Sequence, residues 1–510
     1  MQTQTHFTAL DGFVLAGYFL ATMAVGFAFW ARSRSVSSFT AAGGSLPGWL
    51  TGLSILGTYI SSISFLALPG RAFAGNWNPF VFSLSLPLAT WIGVKYFLPF
   101  YRNSGKVSAY EHLEERFGPW ARVYASACYL LTQFARIGTV SYLMALPLHV
   151  LLGWDIRLII IFTGVATTLY TFMGGIVAVI WTDAVQTTVL VLGALTCAIL
   201  MITSLPNGPG QLFEIAAENN KFSLGSFGTS LAEPTFWVVL IYGVVINLQN
   251  FGVDQNYVQR YHTSKSDAEA RKSVWMGGLL YLPISAIFFF IGTALFAYYT
   301  THPDALPAEY RDPARSDSVF PWFIVTVLPP GITGLLIASI FAAAMSTISS
   351  SLNSTATIIL NDYYGRYFNR QATEQQKMRV LYIATVAVGA LGTSIGLAMI
   401  HVKSALDAWW MLAGIFGGGM LGLFLLGFLS RRANNRAGLI GVLAGVIVIV
   451  WMSTSTKWTG AWAAFKSPYH GFLTIVFGTA AILLVGMLVT ALIKPPAHKV
   501  PSAREPVRVP

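Results

Sequence analysis

Phe341-Ala-Ala-Ala-Met-Ser-Thr-Ile-Ser-Ser-Ser-Leu-Asn353 lies inside a long apolar stretch of the chain. Ser346, Ser349, Ser350 and Asn353 recur at i, i+3, i+4 and i+7, so a helix stacks four polar side chains along one stripe, with Thr347 beside it. Neutral oxygens gathered at mid-membrane depth suit a hard cation stripped of most of its water. Small residues at this spacing also let membrane helices approach closely. The stripe alone leaves packing and ion binding open.

The 510-residue chain is 55% hydrophobic and only 10% charged. Apolar segments of about 20 residues, each long enough to cross a bilayer as a helix, recur from end to end. They fall near 8–30, 48–72, 79–101, 121–150, 156–175, 183–204, 234–258, 273–299, 331–360, 379–401, 406–429, 437–455 and 471–493. Open backbone cannot face lipid, so the expected fold is an all-α integral membrane protein of about 13 transmembrane helices. The first segment has no basic residues ahead of it and reads as an uncleaved helix rather than a signal peptide.

A net charge of +11 raises the question of nucleic acid, and its distribution answers it. With the N-terminus outside, 22 of the 31 Lys and Arg fall on one side, 8 on the other, and Arg136 within a span. That asymmetry marks the basic side, with the C-terminus, as cytoplasmic. No nucleic-acid partner is expected; the lipid bilayer is. Cys128 and Cys197 both lie in predicted spans and are not expected to pair.

No loop is long enough for a second domain. Residues 1–493 read as a single transmembrane domain, and 494–510, with five prolines and no apolar run, as a disordered cytoplasmic tail. The external connection 300–330 is expected to form turns and a short helix at the surface, and Ser264–Lys272 a short capped helix. Two spans look interrupted. The second carries Gly57-Thr-Tyr-Ile-Ser-Ser-Ile-Ser64, then Pro69; the seventh carries Asn247-Leu-Gln-Asn-Phe-Gly-Val-Asp-Gln-Asn256. Lying five spans apart, they run in opposite directions, and paired broken helices in inverted repeats point to a transporter's central site.

Arg136 lies fourteen residues past Arg122, about 21 Å deeper along a helix. A cation at that depth needs a partner, and its planar fork suits a carboxylate, either a solute's or that of Asp183; helix carbonyls are the other choice. Asp183 follows Thr182 at the expected start of the sixth span, where it could favour a helix dipole or bind a cation. Asp254 could pair with Arg260. No Walker A, GxSxG, CxxC or metal-spaced histidines occur, which argues against an enzyme, and no large output domain supports a receptor.

Ser108–Gly118, Tyr170–Gln186, Val258–Lys265 and the Ala-Ala-x-Ser-Thr…Leu-Asn-Ser run ending at Ser354 resemble the sodium:solute symporter family. The resemblance implies a LeuT-like 5+5 inverted repeat, about 48–204 and 234–429, with one leading and two trailing helices. It implies a first sodium site from Gly57, Ile60, Ala343, Ser346 and Thr347. Within the family the chain looks most like the bacterial sodium-coupled sialic acid transporters. That branch implies a second sodium site at Asp183, Ser346, Ser349 and Ser350, a carboxylate-binding Arg136, and solute contacts at Ser61, Ser64, Ser83, Tyr59 and Thr58. The branch has glutamine at Ser83, an aromatic at Pro79 and threonine at Tyr59. The galactose branch's acidic and lysine contacts are Ser83 and Tyr281 here, which disfavours a neutral hexose. The expectation is sodium-coupled symport of an acidic solute, foremost sialic acid (N-acetylneuraminate), by alternating access. One sodium ion or two would drive it, in a monomer of the bacterial inner membrane. Another sugar acid or a monocarboxylate is the alternative.

Overall fold

A computed structural model describes residues 7–31, 33–401 and 405–493, without the side chains of 63, 151, 314 and 405–413. The expected tail, 494–510, lies outside the described residues. Each apolar segment falls on helix: α1 (Ala9–Trp30), α2 (Gly48–Tyr59), α3 (Ser62–Ala74), α4 (Asn78–Ser104), α5 (Pro119–Leu152), α6 (Ile156–Thr203), α7 (Phe236–Val253), α8 (Gln255–Tyr261), α9 (Asp267–Thr301), α10 (Ile332–Ile358), α11 (Glu374–Met399), α12 (Ala405–Leu429), α13 (Asn435–Thr454) and α14 (Leu473–Leu492). Among the described residues there is no strand, only an isolated bridge between Leu46 and Ser264. Among the described residues, nine helices are long and apolar enough to cross a membrane, and the bent α2–α3 pair makes a tenth.

Both expected interruptions are present. Between α2 and α3 the chain passes through extended Ile60 (φ −87°, ψ 111°), and the arms differ in direction by 55°. Ser61 caps α3 by accepting from the Ser64 amide at 3.4 Å. Between α7 and α8, extended Asp254 (φ −76°, ψ 120°) caps the second arm, its Oδ1 accepting from the Asn256 amide at 2.8 Å.

The boundary expected between segments 156–175 and 183–204 is not a connection but a third break within one helical run. The 48-residue α6 is about 72 Å long if straight, against a hydrocarbon core of about 30 Å. It is divided at Gly175, where φ is +52°. A Cβ there would also sit 2.7 Å from ring atoms of Phe39, so both backbone and space require glycine. Asp183 therefore lies within a helical arm rather than at its first turn. Thr182 does not cap it; its hydroxyl donates back to Ala178 O (2.9 Å) and Val179 O (3.0 Å). Likewise, Ser264–Lys272 is not a separate helix, because Ser266 caps the continuous α9. The 300–330 connection forms 3-10 turns and the short helix Val319–Thr326, but that helix is buried rather than lying at the surface as expected, because its apolar run packs into the bundle.

The serine-rich α10 is the buried axis of the bundle. Some 89% of its apolar window is covered, against 17% for the peripheral α1. It packs on α6, α5 and both arms of the broken α2–α3 span. At one end of α5, Arg122 donates to Asp362 Oδ1 from Nε (2.8 Å) and Nη2 (2.5 Å) and to Glu114. This clasp fixes the helix that carries Arg136. On the loop before α7, Lys221 donates to Phe73 O and Gly75 O at the end of α3 (2.7 and 3.0 Å), and burial lowers its ammonium pKa to about 8.

Candidate cation and solute site

Ser346, Thr347, Ser349, Ser350 and Asn353 are all buried, and their hydroxyls and amide divide among different partners. Thr347 Oγ1 donates to Ala343 O at 3.1 Å, which puts that hydroxyl beside that carbonyl. A Cβ built on Gly57 would lie 3.0 Å from Ser346 Oγ and 2.6 Å from Thr187 Oγ1, so the last turn of α2 runs directly against the stripe. Three residues later, the extended ψ of Ile60 turns its carbonyl out of the helical ladder. The five residues of the expected first sodium site thus come from the end of α2 and the facing turn of α10. All are neutral oxygen donors.

The groups expected for the second site surround a carboxylate. Asp183 Oδ1 accepts from Ser346 Oγ at 2.6 Å, while Oδ2 accepts from Ser54 Oγ at 2.5 Å and Arg260 Nη2 at 2.9 Å. Arg260 Nη2 also donates to Ser350 Oγ (2.7 Å), Nε to Ser54 Oγ (2.8 Å) and Nη1 to Asn256 O (2.6 Å). The ion pair is almost wholly enclosed, with side chains 1% and 0% exposed. The partner of Arg260 is therefore Asp183 and not Asp254. Ser349 Oγ donates to Ser346 O at 3.1 Å, and Ser350 Oγ lies 3.3 Å from Thr58 Oγ1. Asn353, the last residue of the stripe, is a structural tie: its amide donates to Phe39 O and accepts from Gln259.

Arg136 is half-buried in the middle of α5. Its Nη2 donates to Thr58 O at 3.0 Å, at the carbonyl end of α2, where the helix dipole favours a cation. This is the helix-carbonyl partner rather than Asp183, and most of the guanidinium's five donors remain for another acceptor. The α2–α3 break is tied to the same helix: Ser62 Oγ donates to Val140 O, one turn beyond Arg136. Ser61 and Ser64 Oγ lie 3.5 Å apart. Tyr59, Ser64, Arg136, Asn250 and Asp254 all keep partial exposure although they lie at the two breaks and on the facing helices. Arg136 and Arg260 both act electrostatically on Asp254.

Tyr59 points toward the other broken span, donating to Asn247 Oδ1 at 3.0 Å, with Asn247 Nδ2 donating to Ser85 Oγ at 2.9 Å. Its ring packs on Tyr257 and Tyr281, with centroids 5.0 and 5.4 Å away. Ser83 is buried against Ser285 (2.8 Å) and bonds to none of the other expected solute residues among the described contacts. Sequence reasoning missed Arg260, Ser54 and Thr187. The Val258–Lys265 motif contained Arg260, but only the fold reveals what it reaches.

Residues 39–445 match the family model described as the sodium:solute symporter family. The chain is 34% identical over 501 residues to the sodium/sialic acid symporter NanT of Aliivibrio fischeri, spanning 97% of this chain and 95% of that protein. It is 34% identical over 486 residues to the sodium/sialic acid symporter SiaT of Proteus mirabilis, spanning 94% and 95%. It superposes with a TM-score of 0.88 on a solved structure described as the substrate-bound outward-open state of a Na+-coupled sialic acid symporter, at 31% identity over 95% of this chain and 98% of that one. At 15% identity, the L-phenylalanine complex of MhsT shares the fold alone, with a TM-score of 0.53 over 87% and 98%. A broken span facing a hydroxyl-lined helix is thus joined to a family match across most of the sequence, and the chain belongs to the sodium:solute symporter family, whose members are transporters rather than enzymes.

Proposed function

We propose that this protein is a sodium-coupled symporter of sialic acid that works by alternating access as a monomer in a bacterial inner membrane. The observation that carries the reading is the meeting of the α2–α3 break with the hydroxyls of α10 on one side and the Arg136 guanidinium on the other. The first sodium is held by Gly57, Ile60 and Ala343 carbonyls with Ser346 and Thr347 hydroxyls, and a second by Asp183, Ser346, Ser349 and Ser350. Arg136 takes the solute carboxylate, and Ser61, Ser64, Thr58, Tyr59 and Ser83 line the path of the sugar. Thirteen crossings result if α5 and α12 are added to the ten spans above and α6 is counted as two spans at Gly175. They form a 5+5 inverted repeat, about 48–204 and 234–429, with α1 leading and α13 and α14 trailing. The N-terminus is outside and the C-terminus cytoplasmic.

The coupling is a matter of differential affinity: sodium must bind one state better than the other. A tenfold sodium gradient supplies about 1.4 kcal/mol per ion. A potential of about 100 mV adds about 2.3 kcal/mol per net charge. Two sodium ions with one monoanion give about 5 kcal/mol, several thousand-fold accumulation; one sodium ion gives about tenfold. Two occupied sites therefore matter.

A smaller sugar acid or a monocarboxylate is the second reading, favoured by Tyr59, whose ring and hydrogen bond to Asn247 fill space beside the break. Thermal-shift titration of the purified protein with N-acetylneuraminate, shorter sugar acids and simple monocarboxylates, each with and without sodium, separates the readings. Stabilisation by N-acetylneuraminate only with sodium supports the first, since ligands of the native state stabilise by mass action. Loss of that shift in Arg136→Ala is expected; an unchanged shift removes its carboxylate role.

A further inference from the structure

The second sodium site already contains a cation belonging to the protein. One terminal nitrogen of Arg260 reaches both Asp183 Oδ2 (2.9 Å) and Ser350 Oγ (2.7 Å), two of the four groups proposed to hold sodium there. Ser54 links the guanidinium and the carboxylate from the other side. Asp183 is fully buried, so its charge must be compensated, and in this arrangement Arg260 compensates it. Adding sodium to a pair that is already neutral would leave a net positive charge enclosed in the bundle, which is costly in a low-dielectric interior.

Arg260 also has somewhere to go. Its helix, α8, begins at the break occupied by Asp254, a half-buried acid whose Oδ1 is used by the Asn256 amide and which lies within electrostatic reach of Arg136 first and of Arg260 second. A guanidinium that leaves Asp183 toward Asp254 remains compensated. Resting on the symport reading above, we infer that Arg260 is a tethered cation that alternates with sodium on Asp183. Sodium entry at the second site then requires movement of α8 relative to α6 and α10, which ties occupancy of that site to the broken seventh span.

The test uses full-length protein in proteoliposomes and the sodium titration of solute uptake. Arg260→Gln is expected to shift the half-maximal sodium concentration about tenfold lower by removing the competitor, whereas Arg260→Lys keeps a tethered charge and stays close to wild type. The shift should vanish in the Arg260→Gln/Asp183→Asn double variant. Ser54→Ala removes the acceptor of Arg260 Nε together with a donor to Asp183 Oδ2 and frees the carboxylate for sodium; it should shift the titration in the same direction by a few-fold and serves if Arg260→Gln does not fold. Titrations like wild type in Arg260→Gln and Ser54→Ala, or a shift that persists without the Asp183 charge, would overturn the inference. Failure of the symport reading itself is distinct, because wild-type uptake would then ignore sodium altogether.

Discussion

The two cation sites proposed on α10 share Ser346 but are built on opposite principles. The first is assembled from carbonyls and hydroxyls that carry no net charge, at a helix break where backbone oxygens have left the ladder. The second is built on a buried carboxylate that an arginine already neutralises. A neutral cage is ready for an ion and costs little when empty. A charged one must always hold a cation, so its exchange is a substitution rather than a simple binding event.

The largest effect that separates the two sites is on stability. Asp183→Asn takes away the carboxylate that Arg260 holds in this arrangement; the cost is about 3–5 kcal/mol where Arg260 stays in place and smaller where it moves to Asp254, with most of the loss recovered in the Asp183→Asn/Arg260→Gln double variant. Thermal melts of the four proteins with and without sodium check this. Sodium should restore stability to Arg260→Gln, where it can replace the lost cation, and not to Asp183→Asn. Equal effects of sodium on both would erase the distinction. Next comes Ser346→Ala, which removes an oxygen from both sites at once and should lower sodium-driven uptake by about a hundredfold.

Thr347→Ala touches only the neutral cage. It should raise the sodium concentration for half-maximal uptake about tenfold while leaving the charge moved per solute unchanged. Ser350→Ala touches only the charged site and should do the reverse: a few-fold change in sodium dependence, with fewer charges carried per solute in reversal-potential measurements. If both variants change the same quantity, the sites do not divide as described.

Much of this was legible in the sequence because its signals are local. Helical spacing of Ser346, Ser349 and Ser350 placed them on one face, and the polar runs at Gly57–Ser64 and Asn247–Asn256 marked both breaks. Arg136 was correctly read as deep within a helix, with helix carbonyls among its possible partners. What escaped was non-local. Arg260 and Asp183 are 77 residues apart, with α7 and a long loop between them, and no periodicity connects them. The segment ending at 175 marked the division of α6, but the need for glycine there comes from Phe39, far away in sequence. Misplacing the start of the sixth span made Thr182 look like a cap. Ser83, expected beside the solute, also pairs with Ser285, a contact that only the packing of α4 on α9 creates.

Sodium-gradient uptake of N-acetylneuraminate into proteoliposomes, with potassium and proton gradients of equal size as replacements, tests the central claim most directly. Accumulation against the solute gradient with sodium alone, abolished by Ser346→Ala, is the predicted result. Equal accumulation on potassium or protons would contradict it.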